Sequence, residues 1–261
     1  MRLRIEADLR YFMNDPVDVL LTVEAARMPD QSVVEDSLIV EGAGPVRSID
    51  GEDGIGRHSW MCAEGAFHAR YEAIVEVDRR PVTIDQRPIT PRRDLPAHVI
   101  PYLWPSRYCE ADRFEAFVER EFPEANHGEK ILAMARWIRD HLDYRPGSTD
   151  ARSTAVDVFV SRQGVCRDYA HLLAAFARAA GVPARVVSAY AWALDPPDFH
   201  AVVEIWLAGD WYLVDPTELA PLDGLVRIAV GRDATDIAFM TIFGNAELVG
   251  QSIVVTRLDG D

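Results

Sequence analysis

The chain has 261 residues, and its 27 lysines and arginines stand against 42 aspartates and glutamates, a formal net charge of −15. A surface this acidic repels phosphate backbones and anionic lipid, which argues against a nucleic-acid or membrane partner. Hydrophobic residues at 49% and charged residues at 26% are ordinary globular shares, and the length suits one large domain or two smaller ones.

Cys62, Cys109 and Cys166 are odd in number, far apart and in no CxxC pattern, so they do not form a disulfide framework. The opening MRLRIEADLRYFMNDP mixes charges throughout and lacks the apolar core of a signal peptide. No apolar run approaches the roughly 18 residues needed to cross a bilayer. The expectation is a soluble, cytoplasmic protein in a reducing setting.

In chain order, segments 2–9, 17–24, 33–40 and 68–77 alternate apolar and polar residues and are separated by turn-prone stretches such as 41–45 (EGAGP) and 50–56 (DGEDGIG). This pattern predicts an antiparallel β-rich domain over 1–85, sandwich-like in form. Residues 86–110 follow as a connector. Five prolines between 86 and 108 forbid a long helix, while the aromatics there predict order and packing.

Helical periodicity begins near 112. Helices are predicted over 112–122, 128–143, 154–162 and 166–180, the last ended by Gly181 and Pro183. Strands return at 184–191, 200–207, 211–214, 225–230 and 248–257, so 111–261 is expected to form an α+β domain.

Cys166 opens a predicted helix in the run Gln163-Gly164-Val165-Cys166-Arg167-Asp168-Tyr169-Ala170-His171. A helix start carries about half a positive charge and unpaired N–H groups, which favour thiolate over thiol and can donate to an oxyanion. Gly164, without a side chain, would let the chain approach a substrate closely. Read alone, such a cysteine is more often a buried structural residue, as Cys62 and Cys109 are taken to be.

His200 opens the strand HAVVEIWL, and Asp215 ends the strand WYLV ahead of a proline. If these strands form a hairpin, His200 and Asp215 meet at its open end, where the carboxylate can fix the imidazole tautomer. Taken singly, they could be a strand cap and an Asp-Pro turn.

Together, GVCRDYAHL at 164–172, AGVPARVVSAY at 180–190, HAVVEIWL at 200–207 and WYLVDPT at 211–217 resemble the transglutaminase-like, papain-related superfamily in order and spacing. The segments 95–109, 144–149 and 230–237 extend the likeness. The resemblance implies an α+β core, a nucleophile helix packed on an antiparallel sheet. It further implies a triad of Cys166 as nucleophile, His200 as base and Asp215 as orienter, and acyl transfer through a thioester. The implied substrate is a peptide, protein or carboxamide.

Water as acceptor makes the enzyme a protease or amidase, and an amine makes it a protein-glutamine transamidase. The family implies no metal or organic cofactor. Asp168 and Tyr169 match positions that support the site, and His171 is expected to be packed. The second oxyanion donor is left among Ser148, Thr149 and Gln163. Two rival readings are a non-catalytic binding module of the same fold and a zinc site built from Cys166, His200 and Asp215. The natural substrate and the oligomeric state are not legible.

Overall fold

The computed structural model describes residues 1–80, 82–123 and 127–258. The N-terminal half is a sheet of long strands, β1 (Arg2–Leu21), β2 (Gln31–Ala43), β3 (Arg47–Asp50) and β4 (Arg57–Val77). Alternation fixes its buried face: Leu3, Ile5, Ala7 and Leu9 of β1 point into the core while their neighbours face solvent. β1 pairs with β4 along nearly its whole length, with one irregularity between Met13 and Val17. Pro16, which has no N–H to give to a ladder, lies in that bulge.

The connector is ordered. Leu95 and Val99 pack on Trp206, and Tyr102 meets the Trp211 ring edge-on at 5.4 Å. Then come α1 (Glu115–Glu121), α2 (Glu129–His141), the two-residue strand β5 (Asp143–Tyr144), α3 (Ala155–Ser161), the two-residue strand β6 (Gln163–Gly164) and α4 (Cys166–Ala179). Phe114, Phe117, Trp137, Phe159 and Phe176 form an aromatic cluster where these helices meet. Gly181 adopts φ +77°, its N–H bonds the Arg178 carbonyl and that of Val182 bonds Ala177. This paired cap stops α4 at the predicted glycine.

Strands β7 (Ala184–Ala191), β8 (Phe199–Leu207), β9 (Asp210–Val214) and β10 (Leu225–Gly231) make a second antiparallel sheet in the order β10-β7-β8-β9. Every residue of β7 is buried, as expected for the centre of a sheet covered on both faces. α4 packs on this sheet against β7 and β8. The α+β class and antiparallel pairing match the sequence expectation.

A short helix α5 (Ala234–Ile237) leads to β11 (Met240–Ile242) and β12 (Glu247–Arg257). These last strands fall inside the predicted 111–261 domain, yet they pair with β1 and complete the N-terminal sheet. The second edge of β1 needed a partner, and β12 offers one with Ile253 facing the core.

Polar links also join the two sheets. The Gln31 side chain bonds both main-chain groups of Arg227, and the Tyr190 hydroxyl donates to Val23 at 2.6 Å. Buried Glu204 pairs with Arg185 at 2.7 Å and Arg227 at 2.8 Å, and these arginines reach Asp53 and Asp30 of the N-terminal half.

Candidate functional site

The lead into α4 is built by pairing, not by periodicity. Tyr144 of β5 lies beside Gly164 of β6, and the Arg145 N–H donates to the Gly164 carbonyl at 2.9 Å. Two residues later Cys166 opens the helix, partly exposed. The fully buried Asp168 carboxylate accepts from the Val165 N–H at 2.8 Å and from the Thr149 hydroxyl at 2.6 Å. An acid in the first turn both satisfies an orphan N–H and favours the helix dipole.

Gly164 has a different reason from the one expected. A Cβ there would lie 2.7 Å from the Asp168 Cβ, so the glycine makes room for the cap of α4.

β8 and β9 form the expected hairpin, turned by Ala208 at φ +51° and Gly209 at φ +86°. His200 and Asp215 meet at its open end, both buried, with His200 Nε2 2.9 Å from Asp215 Oδ2. Asp215 Oδ1 accepts from the Thr217 N–H at 2.9 Å and the Thr217 hydroxyl at 2.7 Å. Burial pushes the Asp215 carboxyl up, but the bonds from His200 and Thr217 more than offset it and hold it below the usual range.

Burial also disfavours the His200 imidazolium. Hydrogen bonding and negative charge from Asp215 and Cys166 outweigh that, and the imidazole is raised to about 9. Its second nitrogen, Nδ1, is buried without a conventional hydrogen-bond partner. With Nε2 engaged by Asp215, Nδ1 is the nitrogen left for Cys166. The three residues singled out in the sequence are thus brought to one place.

Tyr144 belongs with them, although sequence reasoning used it only to mark a family-like segment. Its hydroxyl neighbours Cys166 and feels that residue's charge and hydrogen-bonding groups. Burial first, and then the Cys166 charge, push the phenol well above its ordinary value. The signal was the break after the 128–143 helix, but nothing local said that it faces the cysteine. Two of the three expected donors are engaged elsewhere, Thr149 on Asp168 and Ser148 on the Arg145 carbonyl at 2.7 Å, while Gln163 lies on β6.

His171 is packed, as expected. It is fully buried, stacks on Tyr108 at 5.3 Å and accepts the Ala234 N–H at Nε2. Burial drives it down to about 3, so it stays neutral. Cys109 is buried, which pushes its thiol up to about 12, whereas Cys62 is exposed on β4. Among the described residues no group of three or more metal-ligating side chains is assembled. A cavity of about 560 Å³ adjoins Asp215, lined by Leu132, Leu213, Leu219 and Leu222 with Asp85 and Glu218. No described helix is long and apolar enough to cross a membrane.

Comparison with known proteins agrees with this architecture. The profile of the transglutaminase-like superfamily matches residues 116–216. The crystal structure of a proposed cysteine protease from Cytophaga hutchinsonii is similar at a TM-score of 0.93 and 36% identity, over 100% of this chain and 92% of that one. An uncharacterised protein of Mycobacterium leprae is 34% identical over 149 residues, 52% of each chain. The match thus spans about half the length of that relative. A protein-glutamine gamma-glutamyltransferase of Pseudomonas aeruginosa is 39% identical over 89 residues, 30% of this chain and 13% of that protein. The chain belongs to the transglutaminase-like superfamily.

Proposed function

We propose that this protein is a cysteine-dependent acyl-transfer enzyme that cleaves peptide or carboxamide bonds. One observation carries the reading: buried His200 is held by Asp215 through Nε2 and leaves Nδ1 to Cys166 at a helix start. In this scheme the Cys166 thiolate attacks the carbonyl carbon and the carbonyl electrons move to oxygen. In the same scheme the Cys166 N–H and the Tyr144 hydroxyl donate to that oxyanion. His200 gives its Nδ1 proton to the leaving amine as the intermediate collapses to a thioester. Water then loses a proton to His200, adds to the thioester and expels the thiolate, releasing the acid. Asp215 holds the ring in orientation and keeps the imidazolium favourable.

Hydrolysis is the preferred outcome because the relative matched over nearly its whole length is described as a proposed cysteine protease. Transamidation is the second reading, favoured by the shorter match to the glutamyltransferase. Labelling with iodoacetamide and locating the adduct by mass spectrometry tests the nucleophile. Cys166 is expected to react first, and His200→Ala to slow it. An inert Cys166 beside a reactive Cys62 would sink the proposal in favour of a binding module. Following a labelled primary amine on glutamine peptides separates the two outcomes: incorporation faster than hydrolysis rules out the hydrolase. A zinc content of one equivalent, lost on Cys166→Ala, would instead support a metal site.

A further inference from the structure

The loop between β7 and β8 carries a carboxylate that this mechanism does not use. Asp198 is exposed and lies two residues before His200. Its Oδ1 accepts from the Phe199 N–H at 2.8 Å and from the Gln251 amide at 2.7 Å. Gln251 sits on β12, so the carboxylate is held by its own loop and by the N-terminal sheet. The loop is fixed next door as well. The Phe199 ring stacks on Phe239 at 4.4 Å and leans on Tyr190 at 5.4 Å. Asp198 leads into β8 two residues ahead of His200, and its charge is felt at Tyr144, which neighbours Cys166.

Both donors to Asp198 are neutral, and no described cation forms an ion pair with it. An ordered carboxylate held only by neutral donors keeps its field for whatever enters. Two cations neighbour the site residues in the chain, Arg167 beside Cys166 and Arg145 beside Tyr144. Arg167 is engaged with the Asp150 carbonyl at 2.8 Å and with Asp168. Arg145, next to Tyr144, is the opposing charge that Asp198 must outweigh.

We propose that Asp198 is a specificity-determining residue, selecting substrates that present a cationic group beside the carbonyl attacked by Cys166. That group is a lysine or arginine side chain or a free amine. The proposal rests on Cys166 being the nucleophile, and its test needs no known substrate.

Methanethiosulfonates of similar size, one with a trimethylammonium and one with a sulfonate head, are reacted with the full chain. Mass spectrometry then separates Cys166 from Cys62, which reports the general field of an acidic protein. The preference of Cys166 for the cationic over the anionic reagent should exceed that of Cys62. It should fall about threefold to tenfold in Asp198→Asn and shrink with added salt. Gln251→Leu, which keeps the charge but frees it from β12, should lower the preference by less.

A preference unchanged in Asp198→Asn, or a wild-type Cys166 that favours the sulfonate, would overturn the proposal while leaving the nucleophile in place. A Cys166 inert even to the neutral methyl reagent would remove the acyl-transfer reading and this proposal with it.

Discussion

Replacing Asp215 by asparagine changes the site by almost no volume and tests its logic directly. Asp215 Oδ1 receives the Thr217 N–H, a group that can only donate, while Oδ2 faces His200 Nε2. The asparagine must keep its oxygen toward Thr217 and turn its NH2 toward the ring. Nε2 then has to accept, and the proton of the neutral imidazole is forced onto Nδ1. In that tautomer His200 cannot take the thiol proton.

The charge effect has the same sign. His200 stands at about 9 against an ordinary 6.5, so the folded site favours the imidazolium by a few kcal/mol. Burial opposes that preference, and without the carboxylate only Cys166 is left to offset it. The expected result is a neutral His200 at pH 7 and a loss of at least about 100-fold in Cys166 alkylation rate and in kcat/KM. Ring-proton NMR across pH, together with alkylation kinetics, reads both. If Asp215→Asn keeps an imidazolium above neutral pH, or alkylates at the wild-type rate, then Asp215 does not set the state of His200.

Four further outcomes are expected. The His200 pKa is raised in the fold, so its contribution to stability is complete below about 6.5 and lost as pH rises through about 9. The same proton serves the leaving amine, so kcat/KM should fall on the alkaline side with a midpoint near 9, and a profile flat beyond about pH 10 would contradict the assignment. Gly164→Ala places a Cβ 2.7 Å from that of Asp168. Forcing the cap apart should destabilise by about 1–3 kcal/mol in urea titration and slow Cys166 alkylation, whereas a neutral variant would show the close approach to be soft. Glu204→Gln leaves the buried Arg185 and Arg227 without their shared carboxylate. A loss of about 3–5 kcal/mol is expected in urea, and one below about 1 kcal/mol would mean that Asp30 and Asp53 suffice.

What could be read from the sequence was what short-range patterns encode. α4 was legible at both ends because a glycine stops it and an Ala/Leu-rich run fills it. The pairing of His200 with Asp215 was legible because a tight hairpin fixes which residues meet at its open end. The long reach of β1 was not. Asn14-Asp15-Pro16 has the composition of a turn, yet the ladder with β4 closes around it as a bulge. Residues 57–67 mix small and polar side chains, so their alternation is weak. β12 could be read as a strand, but its partner lies at the opposite end of the chain, and alternation says nothing about pairing partners. Tyr144 was missed for a similar reason. Its place is set by two-residue strands, too short to show any period.

These non-local pairings bear on how the site is held. His200 needs a fixed position more than a particular neighbour, because a small drift of Nδ1 breaks proton transfer. The catalytic sheet fixes the ring through Asp215, but the chain entering β8 is an exposed loop and would be mobile alone. The N-terminal sheet supplies what that loop lacks. β12 reaches it through Gln251, Phe239 just before β11 stacks on Phe199, and Val23 accepts from Tyr190, which also touches Phe199. The three contacts fall within two residues of His200 or on the strand paired with it. The β-rich half is therefore coupled to the position of His200, and the two sheets together hold the ring where the proposed mechanism needs it.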